Sequence, residues 1–235
     1  AIELQQVHVA ATLKESRQAS VEVRVRLYNP AELGDALDFE VTIHSPAGAV
    51  VHQASVKAEP FAGDRAIASF TLDEPALWST DQPALYQCTV QLTSPHGQTQ
   101  RTERFGVRSF HFEEHGPFYL NGKRLLLRGT HRHEDHAGVG AAMTDEQTRQ
   151  EMQLIKDMGA NFIRLGHYQQ SRQVLDLCDE LGLLVYEEIP WCRGGLGGES
   201  YRQQCRDMLT AMIDQHMNHP SIIVWGLGNE NDWPA

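Results

Sequence analysis

Four stretches of the chain concentrate side chains able to move protons, hold metals or bind polar ligands. They are Arg128-Gly129-Thr130-His131-Arg132-His133-Glu134-Asp135-His136, Arg164-Leu165-Gly166-His167-Tyr168, Glu187-Glu188-Ile189-Pro190-Trp191 and Gly228-Asn229-Glu230-Asn231-Asp232-Trp233. Two chemistries fit them. His131-x-His133 is a candidate metal pair, because alternate residues of an extended segment project to the same side. An H-x-H pair is weak by itself, and the fourth stretch adds no clear ligand set. The second chemistry is carboxylate acid–base work. Asn229-Glu230 follows the apolar run Ile222-Ile223-Val224-Trp225, which sets a carboxylate beside an amide donor. Trp225 and Trp233 offer apolar faces for a sugar ring. Cleaving a glycosidic bond needs an acid to protonate the leaving oxygen and a second carboxylate opposite. A tryptophan wall raises the acid's pKa by desolvation. One such stretch reads as a solvated loop, whereas four in succession read as one rim.

The elements that must position this rim alternate between strand and helix. Apolar strands are expected at Leu125 to Gly129, Asn161 to Gly166, Leu183 to Ile189 and Ser221 to Leu227, each ending at one of the four stretches. Between them, Thr144-Asp145-Glu146-Gln147 is a capping box. Its helix carries Met152, Ile155 and Met158 inward, with Gly159 at its end. Ser171 caps a second helix with Val174, Leu175, Cys178 and Leu181 inward, closed by Gly182. Ser200-Tyr201-Arg202-Gln203 reads as another capping box, ahead of core positions Met208, Met212 and Met217 and the stop at Pro220. Strand–helix alternation implies a parallel sheet, whose functional groups lie past the C-terminal strand ends. Glu187 and Glu188, being strand neighbours, must point to opposite sides.

The N-terminal part is different. Val21, Val23, Val25 and Leu27 alternate with polar residues, as do Leu37, Phe39, Val41 and Ile43, then Ala68, Phe70 and Leu72, then Tyr86, Cys88, Val90 and Leu92. Period-two patterning between turn signals, in roughly seven strands, predicts an immunoglobulin-like sandwich over 1–110. Asn121-Gly122 then predicts a tight hairpin, and 111–235 forms the parallel part.

Composition narrows the partners. The 235 residues hold 20 Lys plus Arg against 31 Asp plus Glu, a net charge of −11, with 41% apolar and 22% charged residues. That supports a real core and argues against a nucleic-acid or anionic-membrane surface. No apolar run approaches the ~20 residues that span a bilayer. The four cysteines form no C-x-x-C pair, which argues against a zinc ribbon or thioredoxin site. With Cys88 alone in the sandwich, no disulfide can bridge its sheets.

At this point the chain resembles glycoside hydrolase family 2, the β-galactosidase and β-glucuronidase family, over essentially its whole length. The sandwich contributes Leu77-Trp78-Ser79, Pro83, Leu85-Tyr86 and Phe105-Gly106-Val107-Arg108. The parallel part contributes Asn121-Gly122-Lys123, Leu127-Arg128-Gly129, Arg132-His133-Glu134, Arg164, His167-Tyr168, Cys178-Asp179, Asn218-His219-Pro220-Ser221 and Trp225-x-Leu227-Gly228-Asn229-Glu230. The resemblance implies a (β/α)8 TIM barrel, of which about the first four strands are present, since such a barrel takes ~250 residues. It implies a retaining β-glycosidase acting by double displacement, with Glu230 as general acid/base and the nucleophilic glutamate outside this chain. The implied substrate-binding residues are Asn229, His133, His167, Arg128, Arg164, Glu188 and Trp191. No dedicated carboxylate clamp is visible among Arg128, Arg132, Arg164 and Arg193, so a terminal β-D-galactoside is expected, with a β-glucuronidase or another family 2 glycosidase as the alternative and a non-catalytic fragment or scaffold module as the second alternative. No metal and no cofactor is expected: the magnesium-binding Asn-Ile-Glu-x-His of the enterobacterial type is replaced by Ile189-Pro190-Trp191-Cys192-Arg193. The partner is a carbohydrate. The isolated 235-residue chain is expected to be a central piece without turnover of its own. The bacterial cytoplasm and periplasm both fit, and the oligomeric state is left open.

Overall fold

The structure is a computed structural model that describes residues 2–14, 17–195 and 197–231. The chain divides into two compact units, Ala1–Trp78 with Ala84–Ser109, and Ser79–Pro83 with Phe110–Ala235.

The first unit holds seven strands: β1 (Glu3–Leu13), β2 (Gln18–Tyr28), β3 (Leu37–His44), β4 (Val50–Ala58), β5 (Gly63–Asp73), β6 (Tyr86–Ser94) and β7 (Gly97–Phe105). They form two antiparallel sheets, ordered β1-β2-β5 and β4-β3-β6-β7. Alternate residues of β2, β3 and β6 are buried, and side chains from both sheets share one apolar core. Strand β5 departs from strict alternation. Val23 faces Ala68 but Arg24 faces Ala66, so Ile67 is the extra residue of a bulge. The bulge shifts the phase and brings Ile67 into the core beside Leu72, with Ala68 and Phe70 only partly buried against it. Cys88 is a buried free thiol, pushed up to about 12 by burial and then by the negative charge of Glu103.

The second unit opens with a small antiparallel sheet of β8 (Phe110–Phe112), β9 (Phe118–Leu120) and β10 (Lys123–Leu125). Asn121 and Gly122 join β9 to β10, both at positive φ (52° and 74°), the backbone that a two-residue hairpin of right-handed twist demands. Then come β11 (Gly129–Arg132), α1 (Asp145–Asp157), β12 (Phe162–Leu165), α2 (Arg172–Leu181), β13 (Leu184–Glu188), α3 (Glu199–His216) and β14 (Ile222–Gly226). The four strands β11 to β14 are parallel and lie in sequence order, as in the opening half of a barrel. The first of them begins later than the sequence suggests. Leu125 is drawn into the hairpin opposite Phe118, and the parallel strand starts only at Gly129.

The helix ends follow local chemistry fully in α1 and at the C-terminal end of α2. In α1, Thr144 and Gln147 complete the capping box, and Gly159 follows at φ 88°. Met158, expected inward, is 64% exposed, because it lies at the C-cap, beyond the face that buries Met152. In α2, Gly182 closes the helix at φ 68°. A Cβ there would meet the Thr80 carbonyl oxygen at 2.5 Å, so both conformation and space require glycine. Ser171 is the N-cap, yet its side chain makes no cap bond; the Glu134 carboxylate accepts from its N–H instead. In α3 the Ser200 capping box does not form. The N-cap is Gly198, and the Tyr201 ring sits over Gly197, where a Cβ would clash at 2.6 Å. Met212 of α3 is fully buried, but Met217 lies past the helix end and is exposed.

Candidate active site

Glu188, the last residue of β13, is fully buried and organises the C-terminal strand ends. Its Oε2 accepts from Arg164 Nε (3.2 Å) and Nη2 (2.8 Å), and its Oε1 pairs with His167 Nδ1 (2.5 Å). Both Arg164 donors share one oxygen, and hydrogen bonds to an ionised carboxylate are stronger than neutral ones. Arg164 Nη2 also donates to Asn229 Oδ1 at 2.9 Å, and its guanidinium lies over the Tyr186 ring. One buried carboxylate on β13 thus fixes an arginine and a histidine from the β12 end and, through the arginine, an asparagine after β14. Glu187 points the other way and pairs with His216 of α3 (2.9 Å). A second buried pair, Asp179 with His219 (2.6 Å) and the Ser221 N–H (3.1 Å), ties α2 to the start of β14.

His131 and His133, alternate residues at the β11 end, meet His167 face to edge. The ring centroids are 4.8 Å (131–133), 4.9 Å (131–167) and 5.1 Å (133–167) apart. Gly166 makes this possible: a Cβ on it would lie 2.6 Å from His131 Nε2 and 2.7 Å from Glu188 Oε1. Burial holds the His131 pKa below its ordinary value, reinforced by His133, His167 and Arg164 and opposed by Glu188.

Asn229 and Glu230 sit on a loop braced by backbone bonds. Asn229 N–H donates to Trp191 O (2.8 Å), and Arg193 N–H donates to Asn229 O (3.0 Å). Gly228 has φ 143°, and a Cβ on it would meet Trp191 O at 2.7 Å. Asn231, with its amide nitrogen facing in, donates to Trp191 O and Asn229 O. Glu230 itself adopts φ 50°, a region that costs a non-glycine residue about 1–3 kcal/mol and recurs at functional sites. Its exposed carboxylate accepts from Arg193 Nε at 2.8 Å.

Behind the rim, Arg132 is buried. It donates to Gln170 and to Glu151 of α1 (3.1 Å), while His136 Nδ1 reaches the other Glu151 oxygen (2.7 Å). Tyr168 OH accepts from the Glu134 N–H. Sequence reasoning missed Glu151 and Gln170, and it did not pair Arg193 with Glu230, because these partners are distant in sequence; only an acidic residue on an otherwise inward helical turn hinted at Glu151.

The structure therefore gathers Glu188, Arg164, His167, His133, Asn229 and Glu230 at one end of the sheet. Arg128 is not among them. It precedes β11, and its Nε donates to Gly159 O beyond α1, at the opposite end of the strand. The late start of β11 is the reason. Glu188 and Arg164, expected to touch a ligand, are instead engaged with protein partners. Trp191 is half-buried, edge-on to Tyr201 (5.8 Å), with its Nε1 donating to Gly195 O. Trp225 is packed against two apolar clusters, so it is wall rather than open face. Asp232 and Trp233 lie outside the described residues. In the segment after Ile189 that the resemblance singles out, Cys192 accepts from Asn229 Nδ2 (3.5 Å) and Arg193 brings its own cation to Glu230. This donor set does not fit magnesium.

The chain belongs to glycosyl hydrolase family 2: the family's model matches residues 2–108, and the model of its TIM barrel domain matches 112–234. It is similar to a solved β-glucuronidase of Parabacteroides merdae, 50% identical with a TM-score of 0.94 over 100% of this chain and 29% of that one. It is similar to β-glucuronidase 3 of Bacteroides uniformis, 55% identical with a TM-score of 0.89, again over 100% of this chain and 29% of that one. A β-galactosidase of Thermoanaerobacter pseudethanolicus is 39% identical over 158 residues, 66% of this chain and 21% of that protein. The chain spans from 20% to 34% of the length of the first three curated relatives.

Proposed function

We propose that this chain supplies the general acid/base and half of the sugar-binding rim of a retaining β-glycosidase. The observation that carries the reading is the relay Glu188–Arg164–Asn229, which fixes the residue next to Glu230 from a buried charge. Glu230 protonates the glycosidic oxygen as a glutamate from outside these residues attacks the anomeric carbon. It then takes a proton from water to release the sugar. Arg193 Nε donates to the Glu230 carboxylate at 2.8 Å, so the leaving-group side of the substrate must displace that guanidinium to reach Glu230. Asn229 Oδ1 is occupied by Arg164 and its Nδ2 leans on Cys192 Sγ at 3.5 Å, so a sugar hydroxyl takes the remaining N–H of that amide. His133 and the Nε2 of His167 serve other hydroxyls, imidazole being both donor and acceptor. Glu188 and Arg164 are positioning residues.

For the sugar, identity of 50% and 55% to proteins named β-glucuronidases supports a β-D-glucuronide. A galactoside is the second reading, and one observation favours it: of the four arginines, Arg132 and Arg164 are engaged in internal pairs and Arg128 faces away. In a glucuronidase the carboxylate clamp must then come from Arg193 or from outside these residues. Nitrophenyl β-glucuronide and β-galactoside, offered to the full-length protein, test both levels. Turnover of the glucuronide at least tenfold above the galactoside supports the first reading, the reverse order supports the second, and hydrolysis of neither refutes both sugar assignments.

A further inference from the structure

We infer that His131, His133 and His167 form a site for a borderline transition-metal ion, Zn2+ or Co2+, in which the ion is an inhibitor and not a cofactor. Adjacency in sequence offers only the pair His131-x-His133. The fold adds His167 from the next strand, and one ligand nitrogen from each of the three lies within 4.8 Å of the others. Nitrogens bound at 2.0–2.1 Å to a tetrahedral ion stand about 3.3 Å apart, so closure requires shifts of about 1.5 Å at most. His131 and His133 can supply them, since both are exposed. Neither makes a side-chain hydrogen bond among the described residues, so neither has a partner to give up.

His167 is arranged differently. Its Nδ1 faces the Glu188 carboxylate at 2.5 Å, which leaves Nε2 for a metal. A carboxylate behind a ligand histidine fixes its tautomer and strengthens it as a donor. Three imidazoles without a free carboxylate select zinc, cobalt or nickel over magnesium and calcium. The Arg164 guanidinium, 3.4 Å from His167 Nδ1, opposes the ion and keeps affinity below that of a structural zinc site.

Inhibition follows from the proposed function, because His133 and His167 are the groups offered there to sugar hydroxyls. Binding itself does not depend on that reading. The test is a titration of the full-length protein with CoCl2 in the absence of sugar, reading visible d–d absorption, followed by ZnCl2. One equivalent of cobalt with visible bands, bleached by zinc, is expected. His131→Gln and His133→Gln, each shown to melt cooperatively, should weaken cobalt binding at least tenfold. Absence of a visible band, or unchanged cobalt affinity in a folded variant of either kind, would overturn the inference. An inactive protein that still binds cobalt in this way would refute the glycosidase reading and leave the metal site standing.

Discussion

Replacing Glu188 by Gln tests the positioning role assigned to that carboxylate. The substitution keeps the shape and changes the charge. With its oxygen toward Arg164 and its NH2 toward His167 Nδ1, the amide can still satisfy every partner, provided that the imidazole changes tautomer. What is lost is charge assistance in the two Arg164 bonds (2.8 and 3.2 Å) and in the His167 bond. Charged hydrogen bonds exceed neutral ones by about 1 kcal/mol each, which sets an upper value near 3 kcal/mol. Arg164 keeps 32% exposure, so water recovers part of this and about 2 kcal/mol is expected. Loosening Arg164 also frees Asn229, and misplacement of a positioning group by ~1 Å costs up to ~100-fold in rate. The assay is a double-mutant cycle of Glu188→Gln and Arg164→Gln in the full-length protein, scored by urea denaturation and by kcat/KM. Coupling of about 1.5–3 kcal/mol is expected for a buried charge pair. A value under ~0.5 kcal/mol, that of an exposed ion pair, would refute the relay.

Three further outcomes follow from the packing and the titrating groups. Gly166→Ala should destabilise by about 1–3 kcal/mol, the usual cost of overpacking, because its Cβ would intrude on His131 and Glu188; an unchanged denaturation midpoint would contradict the close approach. Native alkylation should label the exposed Cys192 first and leave Cys88 and Cys178 untouched until unfolding, their thiols being buried and raised in pKa. By NMR, His131 should titrate below 6.5. Since the unfolded chain then binds a proton that the folded one does not, this group lowers stability as pH falls through 6.5; a midpoint above 6.5 would reverse that sign.

Much of this architecture is legible in the sequence where the signal is local. Alternation in β2, β3 and β6, Asn121-Gly122, the Thr144 box and Gly182 each report on a backbone decided by nearby residues. The misreadings arise where a partner far along the chain decides. Ile67 enters the core through a bulge set by pairing with β2. Leu125 belongs to the hairpin, which moves the start of β11 and leaves Arg128 at the wrong end. At α3 the N-cap is Gly198, two residues before Ser200, with Tyr201 packed on Gly197. The rim itself was visible as four polar stretches, but its wiring was not. Glu188 to Arg164, Arg164 to Asn229 and Arg132 to Glu151 span separate strands and helices, and no spacing rule announces such pairs.

The assignment of Glu230 is tested most directly by its own removal in the full-length protein. Glu230→Ala leaves the nucleophile able to form a glycosyl-enzyme from an activated aryl glycoside, but no base then activates water, and azide can take its place. Azide-accelerated turnover yielding a β-glycosyl azide is expected, with activity on poor leaving groups lost by ~10²–10⁴-fold, the usual worth of general acid–base catalysis. Equal losses on good and poor leaving groups, with no azide product, would contradict it and make Glu230 a structural residue.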